Sequence, residues 1–219
     1  MSALAIVEAL LPGLWVTIWL TAWAIALALP AALLAGLGRL SVHAGPRLLA
    51  RAYVEFFRGT SALVQLFWAY FVLPFFGIPL SAELAGILVL GLNTGAYGAE
   101  VVRAAILAVP AGQRDAATAL NLSRRQTLWR IILPQALRLA LPPAGNLAIE
   151  LLKNTALVSL VTIADLTFRA QILRADTLQT GLIFSLVLLL YFAVAQLLRL
   201  LLRQAERRLA RAYAPAGRS

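Results

Sequence analysis

Five long apolar blocks constrain this chain more than any other feature of its sequence. A helix needs about 20 apolar residues to cross the ~30 Å hydrocarbon layer of a bilayer, so each block is long enough, or nearly so, for one crossing. Only helices and closed barrels can span that layer. We therefore predict an all-helical integral membrane protein, forming one domain over residues 1–219, with five transmembrane helices. They are predicted at residues 12–37, 55–76, 85–107, 139–163 and 181–202.

The composition excludes several other classes of protein. The chain is 62% hydrophobic and 13% charged, whereas about 25% of the residues in an average soluble domain are charged. It has no cysteine and one histidine, His43, so thiolate metal sites, disulfides and a cysteine nucleophile are excluded. The sequence contains no GxxxxGK[ST] phosphate-binding loop. We predict no enzyme activity and no cofactor in this chain; if it is part of an ATP-driven pump, a separate partner ATPase must bind the ATP and magnesium.

The positive charges predict the orientation of the chain in the membrane. The net charge is +10, and the arginines lie between the apolar blocks, so membrane orientation explains them better than nucleic-acid binding. They cluster after the first block, after the third and in the tail: Arg39, Arg47, Arg51 and Arg58; Arg114, Arg124, Arg125, Arg130 and Arg138; Arg199, Arg203, Arg207, Arg208, Arg211 and Arg218. Because positive residues favour the cytoplasmic side, the N-terminus is predicted outside and the C-terminus in the cytoplasm.

The same rule predicts a cytoplasmic loop over residues 109–138. Its segment DAATALNLSRRQTLWRIILP predicts two short helices that meet at Asn121, a left-handed position. Ser123 is predicted to cap the second helix, and Pro134 to break it before the fourth span. Such a bent pair could dock in a groove of another protein. The arginines alone fit equally well an amphipathic loop that rests on anionic lipid headgroups.

The loop resembles the coupling loop of bacterial ABC importer permeases. That family's pattern is Glu-Ala-Ala, three residues, Gly, nine residues, then Ile, any residue, Leu-Pro; here Asp115 and Asn121 replace the glutamate and the glycine. Aspartate keeps the charge, and asparagine is the next best residue for a positive φ. The resemblance implies the type I ABC importer permease fold. It also implies that a P-loop ATPase subunit is contacted by Asp115, Ala116, Ala117, Asn121 and Leu122.

Further segments narrow the resemblance. AYVEFFRGTSALVQLFWAYFVLP, LNTGAYGAEVVRAAI, LKNTALVSL and IADL resemble the polar amino-acid permeases of that family. This implies import of an amino acid such as Gln, His, Arg, Glu or cystine, or of a compatible solute such as ectoine, across the bacterial cytoplasmic (inner) membrane. Five spans are few to form a complete translocation pathway, so we expect the chain to pair with a second permease subunit, identical or similar. The short outer loops predict a separate extracytoplasmic solute-binding protein.

Two polar stripes inside the predicted spans are candidates for the substrate path. At spacings of three and four residues their members share a helix face; they are Asn93, Thr94, Tyr97 and Glu100, and Asn146, Glu150, Lys153 and Asn154. A structural role is an equal alternative, because Glu100–Arg103 and Glu150–Lys153 could form ion pairs within one helix. The two carboxylates also leave open an ion-coupled or channel-type transporter that needs no ATPase.

Overall fold

The computed structural model describes residues 2–212, with side chains through Arg208. Every regular element in this part of the chain is helical, which confirms the predicted all-helical class. The helices are α1 (Ala3–Arg39), α2 (Ala44–Gly59), α3 (Ala62–Phe67), α4 (Ala82–Leu107), α5 (Ala111–Ala119), α6 (Arg124–Gln126), α7 (Leu133–Asn154), α8 (Leu166–Thr177) and α9 (Thr180–Ala212). The end of the predicted domain, residues 213–219 with Arg218, lies outside the described residues.

Three of the described helices, α1, α4 and α9, are each long and apolar enough to cross a membrane. They contain the predicted spans 12–37, 85–107 and 181–202. Two bent helix pairs bring the number to five if each pair is one crossing. The five crossings and their orientation stay predictions.

The second apolar block is not one straight helix. α2 and the helical run from Ala62 to Phe76, which continues α3 through π and 3₁₀ geometry, meet at an angle of 102°. Thr60 and Ser61, between the helices, have extended backbone. The side-chain amide of Gln65 donates to the carbonyls of Phe57 and Thr60, at 3.0 and 3.3 Å. It thus pairs carbonyls that the interrupted helix leaves free.

The fourth block belongs to a longer helical run than predicted. α6 continues through a π-helical segment, Thr127–Ile132, into α7, which a 3₁₀ segment extends to Val161. The predicted break at Pro134 is wrong. In the π-helical segment the amide of Leu133 bonds to the carbonyl of Leu128, five residues back. Pro134 then occupies the first turn of α7, where a missing N–H is tolerated. The run bends by 51° into α8.

α1 and α4 form the centre of the fold because small residues line both surfaces. The buried Ala24, Ala28 and Ala32 of α1 face Gly91, Gly95 and Gly98 of α4. A Cβ atom on Gly95 would lie 2.8 Å from the Cβ of Ala31 and 2.9 Å from the hydroxyl of Tyr53. The two backbones therefore approach as closely as small-residue contacts allow in membrane proteins.

Candidate coupling loop and polar interior

Two short helices, α5 and α6, meet at Asn121 in the predicted coupling loop, residues 109–138, which is called the coupling loop below. Asn121 follows the end of α5 and has a φ of 58°. Its amide donates to the carbonyl of Thr118 at 2.9 Å, and the amide of Leu122 donates to the carbonyl of Ala117 at 3.0 Å. These bonds form a Schellman motif, which pairs carbonyls that the helix end would leave free. The predicted left-handed residue at this position is confirmed.

Substitution of Asn121 tests this motif. We expect Asn121→Val to destabilise the loop by about 1–2 kcal/mol, because a β-branched residue is strained at positive φ, whereas Asn121→Gly should be neutral or stabilising. The measurement is the rate of tryptic cleavage at Arg124 in membranes. Cleavage follows the population of the open loop, so the valine variant should be cut about 5 to 30 times faster. Equal rates for the valine variant and the native chain would contradict the motif.

The second helix of the loop begins with a capping box. The hydroxyl of Ser123 accepts from the amide of Gln126 at 3.3 Å, and the side-chain oxygen of Gln126 accepts from the amide of Ser123 at 2.9 Å. Two donors at the start of the helix are thereby satisfied reciprocally. The predicted cap at Ser123 is confirmed.

A hydrophobic cluster and two side-chain hydrogen bonds fix the loop to the membrane helices. The cluster's buried members are Ala105, Ile106, Val109, Ile132 and Ala136. The guanidinium of Arg114 donates to the carbonyl of Ile106 at 3.1 Å, which ties α5 to α4. The side-chain amide of Gln135 donates to the side-chain oxygen of Gln113 at 3.2 Å, which ties α7 to α5. These contacts join the loop to the ends of α4 and α7.

The predicted ATPase-contact residues differ in exposure. Asp115, Ala116 and Asn121 are exposed, and Leu122 is half-buried. Ala117, with 2% of its surface exposed, lies inside the chain. The prediction of Ala117 as a contact side chain is therefore corrected, because a partner cannot reach it. α5, the helix that carries it, packs against the π-helical segment. Among the predicted contact residues, Asp115, Ala116 and Asn121 are exposed, and we call these three the accessible docking surface of the prediction.

The first polar stripe is largely engaged within the chain. The side-chain amide of Asn93, which is buried, donates to the carbonyl of Phe57 at 2.9 Å and to the side-chain oxygen of Gln65 at 3.2 Å. It thus supports the bend between α2 and α3. Thr94 is half-buried, and the exposed Tyr97 lies under a guanidinium. Asn93 therefore has the structural role that stood as the alternative to substrate contact, through partners that the stripe pattern did not identify.

Glu100 lies among three arginines. Its carboxylate forms ion pairs with Arg39 of α1, with Arg58 of α2 at 3.7 Å and with Arg103 at 3.0 Å. The predicted Glu100–Arg103 pair is confirmed. Arg58 also lies 5.2 Å above the ring of Tyr97, within cation–π range. Three guanidiniums already pair with this carboxylate, so a further cation would be repelled there, which argues against Glu100 as the cation site of the ion-coupled alternative.

The second polar stripe lies on the surface of this chain. Asn146, Glu150 and Lys153 are exposed on α7, and Asn154 is half-buried. Within the described part of the chain no ion pair joins Glu150 to Lys153, and no hydrogen bond joins this stripe to the first. The structure therefore does not bring the two stripes together inside one subunit.

The sequence stripes missed a buried carboxylate, Asp165, at the bend before α8. Its side chain accepts from the amide of Phe168 at 2.9 Å and from the hydroxyl of Tyr191 at 3.4 Å. The next amide, of Leu166, donates to the hydroxyl of Thr17 at 3.2 Å. These bonds join α1, α8 and α9. The signal in the sequence was an aspartate directly before an apolar helical run, a common N-cap pattern.

The described chain thus combines long apolar helices, charged groups within them and a compact loop between α4 and α7, features expected of a membrane transport subunit. The chain matches the family described as binding-protein-dependent transport system inner membrane component over residues 28–211. The chain belongs to this family. It is the permease subunit of an ABC importer.

Similar proteins and a solved structure support this assignment. The chain is 45% identical over 200 residues to the probable amino-acid ABC transporter permease protein y4tF of Sinorhizobium fredii, covering 89% of this chain and 84% of that one. It is 37% identical over 179 residues to the L-cystine transport system permease protein TcyB of Bacillus subtilis, covering 81% and 76%. A solved amino acid ABC transporter with histidines matches with a TM-score of 0.87 and 34% identity, over 95% and 99% of the two chains.

Proposed function

We propose that this permease imports an amino acid or a chemically similar zwitterion across the bacterial inner membrane. A separate P-loop ATPase drives it by docking on the coupling loop. The observation that carries the proposal is the pair of helices α5 and α6. A capping box begins α6, and the accessible docking surface is exposed on the surface of the chain. The relatives named for amino-acid and cystine transport support the substrate class.

The topology we propose has five crossings. α1, α4 and α9 each make one, and each bent pair makes one. With the N-terminus outside, the arginine-rich segments after the first and third crossings and the tail reach the cytoplasm. The coupling loop then lies on the side where ATP is available.

Force can pass from the coupling loop along one uninterrupted helical run. α6, the π-helical segment, α7 and its 3₁₀ extension continue from Arg124 to Val161. A displacement of the loop by the closing ATPase dimer therefore moves α7, which carries Glu150 and Lys153 on its exposed face. We propose that this movement switches the pathway between outward and inward access, as rigid elements do in other two-state transitions.

The proposed substrate path lies along the second stripe. Glu150 suits the ammonium group of a zwitterion and Lys153 its carboxylate, and Asn146 and Asn154 supply further hydrogen bonds. Charged side chains in a span face protein or water rather than lipid. Since this stripe is exposed in the single chain, we propose that a second permease, identical or similar, covers it. In the first stripe, Thr94 and Tyr97 stay candidates for substrate contact, whereas we propose that Asn93 and Glu100 support the structure beside the path.

Lys153 gives the path its most specific prediction. In Lys153→Met the substrate carboxylate loses a charged partner worth about 1.5–3 kcal/mol. We expect the KM for uptake to rise about 10- to 100-fold, whereas Lys153→Arg should retain part of the affinity because it keeps the charge. Initial rates of uptake into proteoliposomes containing the complete transporter give both values. An unchanged KM in a well-folded Lys153→Met variant would exclude this residue from the path.

Purification of the tagged chain from its native membrane in mild detergent tests the function as a whole. We expect a P-loop ATPase and a second permease, identical or similar, to be recovered with it. Reconstituted with ATP and its solute-binding protein, the complex should accumulate a labelled amino acid. Recovery of the chain alone, with solute flux that an ion gradient drives without ATP, would contradict the proposal.

A further inference from the structure

A groove lies between the coupling loop and the last turns of α1 and α4. Its volume is about 730 Å³, within the ~300–1,000 Å³ range of sites that hold small molecules. Most of its wall is apolar. The apolar side chains include Leu37, Leu40, Ile106, Leu107, Leu128 and Ile132.

Two arginines give this apolar groove a positive charge. Arg114 and Arg124 line it, and no acidic side chain of the described residues does so. Arg114 donates one hydrogen bond to the carbonyl of Ile106, which leaves further guanidinium donors for a ligand. Arg124 forms no ion pair within the described part of the chain. The groove therefore combines an apolar wall with donors for an anion.

The position of the groove points to the membrane interface. Its walls include the last turns of α1 and α4, two helices long and apolar enough to cross a membrane. Trp129 and Val42, which also line it, have 60% and 72% of their surfaces exposed. Tryptophan favours the interface between hydrocarbon and water. A ligand with an apolar tail and an anionic head fits this setting.

We propose that the groove binds one anionic phospholipid of the cytoplasmic leaflet. Its phosphate lies at Arg114 and Arg124, and part of an acyl chain lies on the wall formed by α1, α4 and the π-helical segment. Basic pockets between membrane helices bind anionic headgroups in this way. The assignment to the cytoplasmic leaflet rests on the proposed orientation, whereas the preference for anionic lipid does not.

A lipid in this groove would brace the coupling loop. Thr118 of α5 and Leu128 of the π-helical segment line one side, and Leu37 of α1 lines the other. The lipid would therefore contact both the docking helix and a membrane helix. Anionic lipid should stiffen the loop relative to the membrane helices.

Lipid titration of the delipidated full chain tests the site without ATPase or transport. Native mass spectrometry should show one bound molecule of dioleoyl-phosphatidylglycerol. Dioleoyl-phosphatidylcholine should bind with lower affinity. In Arg124→Gln the affinity for phosphatidylglycerol should fall about fivefold, the factor that corresponds to roughly 1 kcal/mol per basic residue near anionic lipid. The matched control is Arg125→Gln, which removes the neighbouring arginine outside the groove wall and should leave the affinity unchanged.

A second variant tests the acyl chain. Val42→Trp adds bulk at an exposed position of the groove and should lower the affinity for phosphatidylglycerol without altering the coupling residues. Equal binding of the two lipids, or equal effects of Arg124→Gln and Arg125→Gln, would overturn the headgroup site. Native affinity in Val42→Trp, or competition by free glycerol phosphate at the same concentration as the lipid, would overturn the acyl-chain site. Because none of these readouts involves ATP, failure here is separate from failure of the proposed function.

Discussion

Uptake should fall at least 30-fold when Ala116 is replaced by tryptophan. Ala116 is exposed on α5 beside Asp115, so a large ring there would prevent close approach of an ATPase subunit without disturbing the core. The factor corresponds to about 2 kcal/mol, the loss typical of a central interface residue. The measurement is ATP-dependent uptake into proteoliposomes, with the amount of ATPase recovered alongside the permease as a second readout.

Ala111→Trp is the matched control for this variant. Ala111 is also exposed and begins the same helix, but it lies outside the predicted contact residues. It should retain uptake and the ATPase. Ala117→Trp is unsuitable as a test, because Ala117 is buried and the variant would disturb packing. Normal uptake by Ala116→Trp, at native levels in the membrane, would contradict docking at this surface.

Glu100→Gln should lower the free energy of unfolding by about 2–3 kcal/mol. The change leaves three guanidiniums, those of Arg39, Arg58 and Arg103, without the carboxylate they share. Removing one partner of a fully buried ion pair costs about 3–5 kcal/mol. We expect less because the arginines are partly exposed and water screens them. Equilibrium unfolding of the purified chain in mixed micelles with increasing sodium dodecyl sulfate gives the value.

Two comparisons separate this cluster from an ordinary surface ion pair. Glu55 pairs with Arg51 at 3.9 Å, and both are exposed, so Glu55→Gln should cost no more than about 0.5 kcal/mol. Adding Arg103→Gln to Glu100→Gln should cost less than the two single changes summed, because one unpaired cation is removed. Equal losses for Glu100→Gln and Glu55→Gln would contradict the cluster. Intact folding with abolished transport would instead favour Glu100 as an ion-coupling site.

The features of the coupling loop that the sequence predicted are local. The left-handed conformation at Asn121 and the helix cap at Ser123 depend on neighbours within a few residues. Backbone preference and side-chain reach are sufficient to determine such motifs. The all-helical class was equally accessible, because it follows from long apolar blocks and the need to pair every backbone group in lipid.

The features that sequence reasoning missed depend on contacts between distant segments. Asn93 bonds to the carbonyl of Phe57, 36 residues away, so its role at the bend of α2 and α3 required the packed structure. Ala117 is buried on α5, a helix that packs against the separate π-helical segment. Helical periodicity identified Asn93 and Glu100 as members of one polar face, but a face pattern does not distinguish a substrate contact from a structural bond.

The central claim, that an ATPase docks on the coupling loop, is tested most directly by cross-linking from a single thiol. The chain contains no cysteine, so Ala116→Cys carries one thiol, to which a maleimide–benzophenone photo-cross-linker can be attached. In native membranes we predict a cross-linked product that contains a P-loop ATPase. The control, Leu189→Cys on the exposed apolar surface of α9, should give none. Failure of Ala116→Cys to capture the ATPase, or equal capture from both positions, would contradict the claim.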